Sequence, residues 1–352
     1  MAVERLPARF SLFSQLWFRW TGKCFETATS HMQTVIGKFK TRQNMISNSL
    51  LLAIGNTPLL KLTKIVSPSS ADVWIKYEGN NPTGSYKDRM ALSVIRAAMD
   101  RGDLKIGDRL CEYTGGSTGT AIAFVASILG LKFTAVTSNS FAANKLQAIR
   151  AYGAELVLVE SSDGKLNPEL FKNLKEKVQE IAAQDGNYYF DQFGSQDARP
   201  SYAAIGVEIV EQIQGNVDAY CAAVGTGGSL MGVIDGFESK GMTPDFYALE
   251  PTQSPMLTTG KGGSHTVDGI ALGFVPPFLE MERIKEVRTI DQEEGFQMCR
   301  RLAQEEGILA GGSTGLNVVA ALALAKELGP GKRVVTIGCD NGIKYLGGHI
   351  FK

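Results

Sequence analysis

The stretch Asn81-Pro82-Thr83-Gly84-Ser85-Tyr86-Lys87-Asp88-Arg89 sets one lysine at the mouth of a helix, directly after an apolar strand and a glycine turn. The strand is read over Val73 to Glu78, and Pro82 and Gly84 break it. Ser85 is a good N-cap for a helix that Met90, Val94, Ile95 and Ala98 continue. Lys87 then falls in the first turn. There the positive end of the helix dipole and partial burial both disfavour an ammonium, so its pKa should be lowered. Such an amine can act as a nucleophile.

Outward from this stretch, strand and helix patterns alternate, which predicts parallel sheets covered by helices. Strands are expected over Arg109–Tyr113, Phe133–Thr137, Glu155–Val159, Tyr188–Phe190, Ala219–Val224, Phe246–Leu249 and Arg333–Ile337. Helices are expected over Thr120–Leu129, Ala143–Tyr152, Pro168–Ala183, Tyr202–Ile213, Ser229–Ser239, Glu293–Glu306 and Thr314–Leu328. The expected fold class is α/β, with two doubly wound parallel-sheet domains and a ligand cleft beyond the carboxyl ends of the strands. Thr258 to Ser264 reads as a flexible glycine-rich surface loop.

Two glycine-rich strand-to-helix turns carry the remaining chemistry. Gly225-Thr226-Gly227-Gly228-Ser229 follows an apolar strand, so backbone N–H groups and two hydroxyls can surround a phosphate with no Cβ in the way. A nicotinamide-binding turn is the rival reading. It fits less well, because the third glycine of G-x-G-x-x-G would fall on Leu230. Thr114-Gly115-Gly116-Ser117-Thr118-Gly119 opens a second helix whose N-terminus suits an amino acid's carboxylate.

With 352 residues, 44% hydrophobic and 20% charged, the chain can bury a sizeable core. Thirty-six basic and 36 acidic residues balance, so no whole-protein field draws nucleic acid or an anionic membrane. No run of 18 apolar residues predicts a membrane span. Cys24, Cys111, Cys221, Cys299 and Cys339 are widely spaced, which suits free thiols in a reducing compartment, and the scattered His31, His265 and His349 argue for no structural zinc. Residues 1–44 hold seven basic residues against Glu4 and Glu26. That segment reads as a targeting presequence, an arm, or the product of an upstream start before Met45. The expected location is cytoplasmic, or mitochondrial if residues 1–44 are a presequence.

The nine-residue stretch resembles the Schiff-base segment of the pyridoxal-phosphate enzymes related to cysteine synthase and the catalytic core of cystathionine β-synthase. Gly55-Asn56-Thr57-Pro58-Leu59 resembles that family's entry segment, Gly225 to Ser229 its phosphate loop, and Glu305 to Gly315 a late block. The resemblance runs over about residues 50 to 350. It implies pyridoxal 5'-phosphate as cofactor, held covalently by Lys87 and by the phosphate loop Gly225, Thr226, Gly227, Gly228 and Ser229. Lys87, once displaced by an amino acid, becomes the base at Cα. The substrate carboxylate would lie on Thr114, Gly115, Gly116, Ser117 and Thr118 with Gln192, while Gly269, in the Gly269–Phe274 segment, lies near the substrate amino group, and Glu250 lies beside it.

Two departures stand out. The family's T-S-G-N-T-G carries an asparagine that bonds the cofactor's ring hydroxyl; Ser117 stands in its place, and Gly115 replaces a serine. Cys339-Asp340-Asn341-Gly342 aligns with P-S-S-G, whose second serine faces the pyridine nitrogen, so Asn341 takes that place. A neutral amide does not hold the ring nitrogen protonated and favours β-elimination; Asp340 there would reverse this.

The resemblance further implies a larger cofactor-binding domain from 45–85 and 193–352, a smaller mobile domain from 86–192, and a homodimer. No nucleotide-sensing module is expected beyond Lys352. The expected reaction is β-replacement on a small O-acetylserine- or serine-like amino acid by sulfide or a thiol, with no nucleic-acid or membrane partner. Two alternatives are an L-cysteine desulfhydrase releasing sulfide, pyruvate and ammonia, and a non-catalytic binding protein on the same fold.

Overall fold

Strands such as Ala219–Ala223, apolar at every position, need cover on both faces. The computed structural model, which describes residues 49–161, 168–271 and 273–352, supplies that cover. In chain order its strands are β1 (Leu59–Lys61), β2 (Asp72–Tyr77), β3 (Arg109–Tyr113), β4 (Lys132–Thr137), β5 (Glu155–Leu158), β6 (Asn187–Tyr189), β7 (Ala219–Ala223), β8 (Asp245–Pro251), β9 (Glu286–Ile290) and β10 (Arg333–Gly338). Helices α1 (Lys87–Arg101), α2 (Ser117–Leu129), α3 (Ala143–Ala151), α4 (Pro168–Ala182), α5 (Ala203–Ile213), α6 (Gly228–Ser239), α7 (Met256–Thr259), α8 (Gln292–Arg301) and α9 (Gly312–Leu328) lie between and after them.

The strands form a six-stranded sheet, β1-β2-β10-β7-β8-β9, and a four-stranded sheet, β5-β4-β3-β6. β1 pairs antiparallel to β2, and the other described pairings are parallel. The chain therefore starts in one sheet, builds the other from β3 to β6, and returns. This is the expected two-sheet α/β class with one antiparallel edge added.

A shared apolar core joins the two sheets. Met90, Val94, Ile95 and Ala98 of α1 lie fully buried at helical spacing against Ile122 and Phe124 of α2, Ile205 and Ile209 of α5, and Tyr220 and Val335 of the larger sheet. Each such Met, Val, Ile or Phe side chain contributes roughly 1.5–3 kcal/mol by leaving water. A second core packs α8 and α9 on the opposite face of the larger sheet, and a third packs α4 on the outer face of the smaller one.

Boundaries agree with expectation to within a few residues, with identifiable exceptions. β1 and β9 were not expected, being a three-residue edge and a short polar strand. The helix expected over Glu293–Glu306 ends at Arg301 and passes into a π turn, Leu302–Glu306. There Glu306 Oε1 accepts the N–H groups of Thr63, Lys64 and Ile65 at 2.6–3.0 Å, tying the turn to the segment after β1. The readings of residues 1–44 fall outside the described residues. Among the described residues no helix is long and apolar enough to cross a membrane, and no cluster of His, Cys, Asp and Glu could hold a metal ion.

Candidate functional site

Each residue of the opening stretch has a local task. Asn81 Oδ1 accepts Gly55 N–H at 2.8 Å while its amide nitrogen donates to Glu78. Asp88, buried in the first turn of α1, accepts the N–H of Thr83 at 2.8 Å and also its hydroxyl, which closes the Pro-Gly turn. Ser85 Oγ accepts the Lys87 N–H at 3.3 Å, but the helix begins at Lys87, so the N-cap is Tyr86 and not Ser85 as expected. Antiparallel bridging of Ser85 to Asp340, with Asn341 N–H donating to Gly84 O at 2.8 Å, fastens the turn to the end of β10.

Lys87 is held differently. Its Nζ donates one long hydrogen bond, 3.5 Å, to Tyr202 Oη, and lies 4.8 Å from the Tyr86 ring centroid. Burial pulls its pKa down to about 8. The Tyr202 ring whose hydroxyl receives the Lys87 bond lies 3.8 Å from where a Cβ on Gly228 would stand, so the Gly225–Ser229 turn lies beside the start of α1. That turn leaves β7 and opens α6, whose first-turn N–H groups have no intrahelical partner. A Cβ on Gly225 would collide with the carbonyl oxygen of Gly269, so only glycine allows the two segments to meet. Ala271 N–H donates to Val224 O at 2.9 Å and completes that contact.

The second turn is built at the end of β3. Thr114 Oγ1 accepts Gly119 N–H at 3.1 Å, and a side chain on Gly115 would run into the Phe141 ring. Thr118 Oγ1 donates to Gln192 Oε1 at 2.8 Å, which brings Gln192 to the loop. Behind them lies Glu112, a residue sequence reasoning missed: fully buried, it accepts Tyr113 N–H with Oε1 and Gln192 N–H with Oε2, both at 2.9 Å. Burial pushes its carboxyl up to about 8. Ser117 Oγ accepts from Lys344 Nζ at 3.0 Å, a second residue not foreseen.

At the end of β10, Asn341 Oδ1 caps a short 3-10 turn by accepting Ile343 N–H at 2.8 Å. Asp340 is buried, with Oδ2 accepting the Tyr345 hydroxyl at 2.6 Å and Oδ1 without a hydrogen-bond partner. Glu250 is a cap for α7, accepting Leu257 and Thr258 N–H at 2.7 and 3.0 Å, so its place here is structural. Part of the expected flexible loop after it is thereby helical.

A family model described as pyridoxal-phosphate dependent enzyme matches residues 50–340. The chain belongs to this family. Cysteine synthase of Staphylococcus aureus (strain Mu50) is 38% identical over 296 residues, 83% of this chain and 93% of that one. Among solved structures, cysteine synthase (OASS) from Entamoeba histolytica matches with a TM-score of 0.82 at 28% identity, covering 88% of this chain and 92% of that one. A hydrogen sulfide-producing enzyme from Fusobacterium nucleatum matches with a TM-score of 0.81 at 29% identity, covering 87% of this chain and all (100%) of that one. The protein is thus a pyridoxal-phosphate dependent enzyme of cysteine-synthase type. Its residues fit the cofactor: a glycine turn where a Cβ would collide, an amine with a lowered pKa beside it, and a buried carboxyl oxygen with no partner.

Proposed function

We propose that this pyridoxal-phosphate dependent enzyme performs β-replacement on a serine-derived amino acid with sulfide or a thiol, with Lys87 as its catalytic residue. The observation that carries this reading is the Lys87 amine, lowered to about 8 and tethered by a single long bond, next to the Gly225–Ser229 turn. Bound pyridoxal phosphate supplies an electron sink conjugated to the substrate's Cα.

Gly225, Thr226, Gly227, Gly228 and Ser229 hold its phosphate with N–H and hydroxyl donors. Asp340, which keeps an unpartnered oxygen, or Asn341, whose side-chain oxygen caps Ile343, meets the ring nitrogen; burial raises the Asp340 carboxyl and so favours its neutral form, which like the Asn341 amide does not hold the nitrogen protonated. Ser117 with Lys344 offers donors to the ring hydroxyl. Thr114 to Thr118 and Gln192 hold the substrate carboxylate, and Gly269 borders its amino group. The free Lys87 amine takes the Cα proton, the substituent leaves Cβ with its bonding pair, and the nucleophile adds at Cβ before Lys87 returns the proton.

Homodimerisation, a cytoplasmic location and independence from nucleic acid belong to the same proposal. Among the described residues, the four cysteines are free and buried, which fits a reducing compartment. Domain boundaries at 45–85 with 193–352, and at 86–192, follow the sheet to which each strand belongs.

The test is to feed the loaded protein O-acetylserine with sulfide, then cysteine alone. Cysteine formation in the first mixture, faster than pyruvate formation in the second, supports β-replacement; pyruvate and sulfide from cysteine alone, without synthesis, would establish the desulfhydrase. Borohydride reduction followed by mass spectrometry should place the cofactor on Lys87. No adduct at all would leave only a binding protein.

A further inference from the structure

The Thr118–Gln192 pair is backed by a buried carboxyl that the proposed reaction does not use. Glu112 is 0% exposed, and its two oxygens bridge the end of β3 to the segment after β6 through the N–H groups of Tyr113 and Gln192. The residue before Gln192, Asp191, has φ 50, a left-handed conformation supported locally by its own turn, in which Oδ1 accepts Gly194 N–H at 3.0 Å. The Glu112 to Gln192 bond constrains the next residue. Without it Gln192 has less reason to present Oε1 to Thr118.

We infer that Glu112 is a positioning residue for the amino-acid carboxylate site, holding Gln192 against Thr118 and setting by its own charge the pH range in which a carboxylate is bound there. This rests on the reading of Thr114 to Thr118 as the carboxylate site.

Among the described residues, the groups around it leave its charge without an opposing cation close by. On its own strand stand Cys111 and Tyr113, whose pKa values are also raised, while Arg109 at the far end pairs with Glu155. From β6 and the turn after it come Tyr189 and Asp191, and Asp191 acts on Glu112 as a like charge. β4 sets Ala135 opposite, α2 contains no titratable residue, and α4 packs its apolar Leu170, Leu174 and Val178 beside Cys111. A neutral Glu112 leaves the N–H and hydroxyl donors of the loop free to attract a carboxylate. An ionised one, directly behind them, repels it. Burial raises the carboxyl to about 8, so binding is favourable below that pH and weakens above it.

The test compares L-alanine, which has no β-substituent to lose, with L-alaninamide, which has no carboxylate. Affinities are read from the cofactor's absorption in the loaded protein between pH 6.5 and roughly 9.5, and expressed for the unprotonated amine. In the unmodified protein the preference for alanine over alaninamide should fall about tenfold from pH 7 to 9, the scale of one unit charge acting over several ångströms at intermediate dielectric. Glu112→Gln should flatten that dependence to within about threefold. It should also lower the preference at pH 7 a few-fold, because an amide oxygen can accept only one of the two N–H groups.

A preference for alanine that stays level with pH in the unmodified protein, or one that falls equally in Glu112→Gln, overturns the role of Glu112 alone. Equal affinity for the two ligands at every pH overturns the carboxylate site itself and the inference with it. Should the variant fail to fold, the unmodified protein's pH dependence still decides.

Discussion

Lys87 and Arg89 stand two residues apart at the start of α1 and are treated in opposite ways. Arg89 is wholly engaged: it bonds both oxygens of Glu78 at 2.7 and 2.9 Å and both of Glu208 at 2.8 Å. Lys76, itself 0% exposed, adds 2.6 Å to Glu208 and 2.7 Å to the Thr57 carbonyl. Lys87 has one 3.5 Å bond. Buried charges of the first kind are close to saturated with partners and hold a helix in place; the second kind keeps its donors for a ligand. A fixed scaffold on one side of the helix makes an unsatisfied group tolerable on the other.

The contrast breaks most visibly in paired variants. Lys87→Ala should lower turnover by about 10³-fold or more, the range of a lost acid–base group, and shift apoprotein stability by no more than about 1 kcal/mol. Arg89→Ala should do the reverse: turnover per folded, loaded molecule stays near normal, and urea unfolding shows a loss of about 3–5 kcal/mol, because the buried Glu78 loses its cation and Glu208 keeps only Lys76. Equal stability losses in the two variants would remove the distinction.

Acid sharpens the same contrast without mutation. Burial alone would raise Glu208, but Arg89 and Lys76 outweigh it and hold the carboxyl down at about 2. A depressed native pKa contributes stability that is complete above the unfolded value of about 4.3. It is lost as pH falls through the native one. The loss should therefore fall between about pH 4.5 and 2, on the order of 3 kcal/mol, and unfolding titrations should show a smaller loss in Arg89→Ala, where only Lys76 still holds the carboxyl down.

On the ligand side, Gly225→Ala should weaken cofactor binding by about 10- to 100-fold, since the new methyl meets the Gly269 carbonyl and one of the two segments must move. Equilibrium titration with pyridoxal phosphate measures it. Unchanged affinity would mean that the turn does not hold the phosphate.

The sequence made this ligand side the more legible of the two. Gly225 and Gly115 sit where the chain approaches a backbone carbonyl or an aromatic ring, and Gly84 turns with φ 75 against the Asn341 Cβ; such needs leave glycines at fixed offsets from strand ends. The alternation of elements likewise foretold both sheets, because parallel strands covered on both faces must be apolar throughout. The scaffold was less visible. Lys76 looks like an ordinary solvated lysine in its strand, and its partner Glu208 lies far along the chain on α5, so no local pattern joins them. Glu112 was hidden for the same reason, its partner being the backbone of Gln192. At the end of β10 the resemblance located the block, and only the fold shows that Asn341 Oδ1 caps the next turn while Asp340 Oδ1 is left without a partner, since which side chain caps that turn depends on backbone direction.

The smallest expected effect tests whether the ligand side itself divides into binding and chemistry. Thr118→Val keeps the shape of the side chain and removes the hydroxyl that donates to Gln192 Oε1 at 2.8 Å, leaving a buried amide oxygen without that donor. The cost is about 1 kcal/mol, so KM for the amino acid should rise about fivefold. If the loop only binds the carboxylate, substrate and transition state lose that interaction equally and kcat stays constant. A fall in kcat at unchanged KM would instead mean that Thr118 and Gln192 orient Cα toward Lys87, and the division between the residue that reacts and the residues that hold would have to be drawn elsewhere. Steady-state kinetics of this one variant, beside the 10³-fold loss expected for Lys87→Ala, distinguishes the two.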